Sequence, residues 1–121
     1  MENKEFNALL QDKIPEVRPI YEREVKDFWE GEEPGSTIVV EDYLMPLVYK
    51  ALDEDDERLL EEFRSWLEEV SSLGDDDCEE VIFVCIFEKA FYEKRLGELK
   101  RRAFGPNALK FLSRTCYANK G

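Results

Sequence analysis

Leu59, Leu60, Phe63, Trp66, Leu67, Val70 and Leu73 recur at intervals of three and four residues, so they share one side of an α-helix. Glu61, Glu62, Arg64, Glu68 and Glu69 fall between them and are expected to face water. Gly74 stands where a helix end accepts a left-handed residue. Asp76 and Glu79 then have the spacing of a capping box, which starts a new helix. A stop and a start this close turn the second helix back along the first. The expected unit is an αα-hairpin over 55–73 and 76–96.

The run Val81 to Phe87 would also suit a buried strand, being β-branched and almost wholly apolar. Its apolar positions continue at Ala90, Phe91 and Leu96, longer than an ordinary strand, and its flanks are acidic first and basic last, matching a helix dipole. A helix apolar on nearly all sides is expected at the centre of the fold. Upstream, Phe6, Leu9, Leu10 and Ile14 form a helical stripe ended by Pro15. Val17, Ile20 or Tyr21, Val25 and Phe28 form another, with Pro19 implying a kink. Residues 31–36 (GEEPGS) read as a loop, and 37–40 (TIVV) as at most one short strand-like segment without a partner strand. Leu44, Leu47, Val48 and Ala51 begin another helix, in which Pro46 is tolerable only in the first turn. Gly105-Pro106 opens a last one, with Ala108, Phe111 and Leu112 facing inward. With 121 residues, the expectation is an all-α chain, residues 1–121 forming a single helical domain of about five to six helices.

Composition removes several classes of function. Histidine is absent, and with it the commonest general base, the commonest metal ligand and every His-dependent triad. The longest apolar run has seven residues, against the ~20 of a membrane span. The opening MENKEF lacks the apolar stretch of a secretory leader, so the three cysteines are expected as reduced thiols in the cytoplasm. Cys78 and Cys85 stack on one helix face outside any C-x-x-C motif and read as small core residues; Cys116 has only Arg114 nearby.

The net charge of −12 is unevenly placed: residues 22–80 hold 22 acids and five bases, residues 88–121 three acids and nine bases. Such a middle disfavours nucleic acid and favours rapid capture of a basic protein. Asp53, Glu54, Asp55, Asp56 and Glu57, and Asp75, Asp76 and Asp77, each precede a helix, where acids cap free N–H groups. Neither run is a calcium loop. The glycine and bidentate glutamate positions hold Arg58 and Arg64 in one, Glu80 and Ile86 in the other. No metal and no cofactor is expected. Five acids in a row exceed what capping needs, so the excess reads as a partner-binding surface, with Glu30, Glu32 and Glu33 as a third patch beside Trp29, an aromatic that could anchor an interface but more commonly packs against the preceding helix. Pairing of the acidic middle with the basic tail inside the fold is the competing reading. Glu88 is expected as a part-buried carboxylate paired with Arg95 or a base of the last helix.

Leu60-Glu61-Glu62-Phe63, Trp66-Leu67-Glu68-Glu69, the Gly74-Asp75 turn, the apolar helix ending Phe87-Glu88 and the Gly105-Pro106 restart before Ala108-Leu109 resemble small acidic helical bacterial proteins over residues 41–112, among them immunity proteins of polymorphic toxin and contact-dependent growth inhibition systems. The resemblance implies a cytoplasmic protein that binds an incoming basic toxin domain, often a nuclease, and blocks it without catalysis, as a monomer when free. A helical adaptor or regulatory subunit, whose groove holds a partner helix, is the alternative. An enzyme working through carboxylates alone ranks last.

Overall fold

The computed structural model describes residues 1–120, in which every regular element is helical. We number the helices α1 (Asn3–Lys13), α2 (Val17–Asp27), α3 (36–54), α4 (Glu57–Ser71), α5 (76–92), α6 (Leu96–Ala103) and α7 (Pro106–Ser113). The all-α class and the central hairpin are as the apolar periodicity requires. Gly74 takes the left-handed φ of +65° in the connection between α4 and α5. The cap lies one residue earlier than expected: the Asp75 carboxylate, not that of Asp76, accepts the Cys78 N–H at 3.0 Å.

Seven helices replace five or six because the long helix breaks at Lys94, which adopts φ +62°. There the Arg95 N–H closes on the Ala90 carbonyl at 2.8 Å, a Schellman-type ending with lysine in the place glycine usually takes. Nothing in the residue types marks such a stop. Pro19 falls in the first turn of α2, where its missing N–H is not needed.

Residues 37–40 are not strand-like. Val39 and Val40 are buried in the first turns of α3, since burial outweighs the β preference of branched side chains when no strand is available for pairing. Val39–Leu44 form a widened π turn, closed by the Met45 N–H on the Val40 carbonyl, and Pro46 follows it inside the helix instead of opening one. A wide turn moves aside the carbonyls a proline ring would strike. Phe83–Glu88 of α5 form a second π turn packed against the first, with the Cys85 thiol 3.6 Å from the Thr37 carbonyl.

One core runs through all seven helices. Its hub is α4, not α5: α4 packs on α1, α3, α5, α6 and α7, while α5 leaves Val84 exposed and Phe83 half-buried. Trp66 is fully buried, edge-on to Phe6 at 5.8 Å and 6.0 Å from Phe63. Phe87 binds the C-terminal helices through Phe104 and Phe111, at 5.5 and 5.3 Å.

Candidate functional site

The acidic run at 53–57 is where the chain turns from α3 into α4. Asp55 sits in left-handed backbone at φ +55°, and the Asp56 carboxylate caps α4 by accepting the Leu59 N–H at 3.2 Å. The rest are met by the C-terminal third. Arg95 lies 2.7 Å from Asp53, and Arg102 lies 2.9 Å from Asp55 and 2.8 Å from Glu57. The guanidinium holds the Asp53 carboxyl below its usual range. Only Glu54 has no partner among the described residues. Turn geometry, capping and two arginines thus give Asp53, Asp55, Asp56 and Glu57 partners within the fold, while the Asp53, Asp55 and Glu57 side chains stay largely exposed. At the second run, Asp75 caps α5 and takes the Met1 ammonium at 2.7 Å, which with the Cys78 N–H lowers its carboxyl to about 2. Asp77 lies 3.5 Å from the same ammonium, and Asp76 is exposed and unpaired among the described residues.

The third patch is different. Residues 20–46 carry eight acidic and two basic side chains, half of the chain's net charge of −12, and they supply most of the walls of a groove of about 500 Å³ between α2 and α3, with Glu24 and Asp42 its two acidic lining residues. Its walls are Ile20 of α2, Phe28 and Trp29 of the following loop, and Ile38, Tyr43, Pro46 and Leu47 of α3, with Glu24, Asp42 and Arg23 at the edge. Phe28, expected on the inner face of α2, is 72% exposed, so a large apolar ring stands in water beside a concave apolar surface. Isolated exposed rings are ordinary; one contiguous with a groove marks a docking surface.

The loop that carries Phe28 and Trp29 is held on both sides. The Trp29 indole N–H donates to the Tyr43 hydroxyl at 3.0 Å, and the Gly31 N–H donates to the Val25 carbonyl at 3.0 Å. Glu33 reaches across to α1 and α2: it accepts from the Tyr21 hydroxyl and, at 2.8 Å, from the side-chain amide of Asn7, which also donates to the Pro34 carbonyl at 3.0 Å. Burial, then the hydrogen bond to Glu33, raises the Tyr21 phenol above its usual pKa. Glu33 thus clamps the loop while remaining exposed. Glu30, at φ +52°, and Glu32 are exposed and unpaired among the described residues, on the loop that follows Trp29.

Other expected features resolve structurally. Cys78 and Cys85 are buried, and burial pushes their thiols up to about 11 and about 12, away from reactivity. No three ligating side chains gather as around a metal among the described residues. Among the described residues Glu88 meets no base; it accepts from the Tyr117 hydroxyl at 3.2 Å, while Arg95, its expected partner, serves Asp53 and Glu98. Glu68 does not merely face water: it receives the Asn107 and Ala108 N–H groups, both at 2.8 Å. Glu16 and Glu62 face each other beside Arg58, which lies 2.8 Å from Glu16. Partial burial, followed by the hydrogen bond to Glu16 and its charge, raises the Glu62 carboxyl.

Among the sequence features, Trp29 pointed to the groove. Ile20, Ile38 and Leu47 did not, because their convergence depends on how α2 crosses α3. No family model matches the chain, and no curated protein or solved structure matches it. No described helix is long and apolar enough to cross a membrane.

Proposed function

We propose that the chain is a toxin-neutralising immunity protein, a non-catalytic binder that captures a basic protein domain in the groove between α2 and α3 and thereby blocks it. The observation that carries this reading is an apolar concavity edged by Glu24 and Asp42, within a stretch, residues 20–46, that holds eight acids and two bases. The two parts have different tasks. Glu22, Asp27, Glu30, Glu32 and Asp42, none of them paired among the described residues, would speed encounter with a cationic surface and repel phosphate backbones, so nucleic acid is not the partner. Phe28 and the Trp29–Tyr43 wall would supply affinity, since burying one exposed aromatic ring contributes roughly 1.5–3 kcal/mol. Because Glu33 and Tyr43 already hold the loop, little ordering would be needed on binding. The protein would act as a monomer in the cytoplasm, with no cofactor.

The resemblance over residues 41–112 supports the immunity assignment, and the groove supports a binder in general. A helical adaptor whose groove holds a partner helix is the second reading, favoured by the exposure of Phe28. One experiment separates them. The chain is co-expressed with the C-terminal domain of the protein encoded immediately upstream of its gene. Immunity requires that this domain be toxic alone, that the chain restore growth, and that Phe28→Ala with Glu30→Gln and Glu32→Gln abolish the rescue. A neighbour with no toxic domain, or a rescue indifferent to these substitutions, overturns the assignment.

A further inference from the structure

The basic third of the chain contributes to a concavity of its own. Where α4 gives way to the connection with α5, a hollow of about 290 Å³ opens against α7. Ser71 and Gly74 line it from the end of α4, Glu79 from α5, and Asn107, Lys110 and Arg114 from α7 and the residue after it. Ser71 is only 8% exposed, and its hydroxyl is shielded from water yet makes no hydrogen bond within the protein. A buried hydroxyl without a protein partner is uncommon and calls for a bound group to complete it. Lys110 and Arg114 stand four positions apart, about one helical turn, so both reach the same hollow. Lys110 is exposed and has no ion-pair partner among the described residues. Arg114 rests over the Phe111 ring at 5.4 Å and faces Glu79 at 3.8 Å, beyond hydrogen-bond reach. The Asn107 side-chain amide spends one N–H on the Glu68 carbonyl at 3.3 Å and has a second to give. Two cations thus oppose one carboxylate, the reverse of the acid excess along α2 and α3. Glu68 and Glu69, the carboxylates next to this end of α4, are engaged elsewhere, the first on the N–H groups of α7 and the second 3.6 Å from Lys13.

We propose that this hollow binds a small phosphate compound, free phosphate or a phosphate monoester, through the Ser71 hydroxyl, the Asn107 amide, Lys110 and Arg114. The site is independent of the groove between α2 and α3. Its donors come from two helices, which suits a tetrahedral group with three or four outward oxygens better than the two coplanar oxygens of a carboxylate. The ammonium and the guanidinium supply the charge that a phosphate needs, and the guanidinium can pair with two of its oxygens at once. The loose contact to Glu79 leaves Arg114 free to turn toward the ligand. A chain of net charge −12 repels a long polyanion, so the phosphate arrives on a small molecule and not on a nucleic acid.

The test titrates the whole ¹⁵N-labelled chain, at ionic strength held constant with sodium chloride, with inorganic phosphate, glycerol 3-phosphate and acetate in turn. The phosphate probes are expected to shift amides of residues 71–74 and 107–114 saturably. Acetate is expected to bind at least about tenfold more weakly, the worth of one charge-assisted hydrogen bond. Tighter binding of glycerol 3-phosphate than of inorganic phosphate assigns the site to monoesters, and the opposite order assigns it to the free ion. Ser71→Ala removes a hydroxyl that makes no hydrogen bond within the protein, and should weaken phosphate by roughly tenfold with the fold intact. Lys110→Gln, at an exposed position, should do the same, whereas Arg101→Gln, an exposed cation outside the hollow, should change nothing. No saturable shift, an equal response to acetate, undiminished affinity in Ser71→Ala, or a loss in Arg101→Gln as large as in Lys110→Gln would overturn the proposal and leave only a general attraction of anions to the basic tail.

Discussion

Helix α7 begins at Pro106 with no cap from its own residues, and a carboxylate from another helix does the work. Glu68 of α4 accepts the Asn107 and Ala108 N–H groups at 2.8 Å each. The carboxylate reaches them because Gly105 has no side chain: a Cβ there would lie 2.5 Å from the Glu68 Cδ and 2.6 Å from its Oε1. Losing a capping acceptor costs about 0.5–2 kcal/mol, and losing a negative charge at a helix N-terminus about 0.3–1 kcal/mol. Glu68→Ala is therefore expected to destabilise by roughly 1–3 kcal/mol, and Glu68→Gln, which keeps one acceptor, by about half as much. Gly105→Ala should cost a similar amount by a different route, since its methyl group expels the carboxylate. If that route is right the two changes overlap, and Glu68→Ala with Gly105→Ala will lose less than the two separate losses together by at least about 0.5 kcal/mol. Urea unfolding followed by circular dichroism measures all four proteins, with the m-value checked for constancy. Strict additivity, or a Glu68→Ala cost below about 0.5 kcal/mol, would refute the cross-helix cap.

Phe28→Ala should leave urea stability within about 0.5 kcal/mol of the parent, because the ring is 72% exposed; a larger loss would return Phe28 to the core. Arg102→Gln removes the contacts to Asp55 and Glu57 and the 3.0 Å donation to the Leu52 carbonyl. Since both carboxylates are largely exposed, the expected cost is small and shrinks with added salt down to the carbonyl contribution. A cost independent of salt would remove the ion pairs from the explanation. Glu62 carries a raised carboxyl pKa, so the folded protein binds a proton more tightly there than the unfolded chain does. Its penalty is absent below the unfolded carboxylate pKa and is fully present once pH exceeds the raised folded value. Glu62→Gln should accordingly stabilise the protein at neutral pH and make no difference in acid, as thermal melts across pH will report; stabilisation equal at both extremes would assign the effect to something other than titration.

The helical elements were legible because their cause is local. The stripe from Leu59 to Leu73, the punctuation at Gly74 and the Gly105-Pro106 restart act within a few residues of themselves, and the structure keeps all three. What was not legible is what depends on two distant segments meeting. Lys94 ends α5 in a conformation lysine seldom adopts, so no residue type announced α6. The run 53–57 looked excessive because Arg95 and Arg102, 38 or more positions further on, cannot be assigned to it before the fold is known. Glu33 and Glu32 are exposed neighbours with different roles, one clamping Tyr21 and Asn7 and the other unpaired among the described residues, and only the path of the loop distinguishes them. Trp29 was visible as an aromatic among acids; the groove beside it was not, since its far wall comes from α3.

The chain contains two tryptophans that report on opposite places: Trp29 lines the groove, and Trp66 is fully buried beneath α4. Their indole N–H resonances in the ¹⁵N-labelled protein, followed while the proposed partner domain is added, address the docking surface directly. The account requires the Trp29 resonance to move together with amides of residues 20–47 while that of Trp66 stays in place. A Trp29 signal that remains still while amides near 53–57 or 75–77 shift would put the partner elsewhere and contradict the groove.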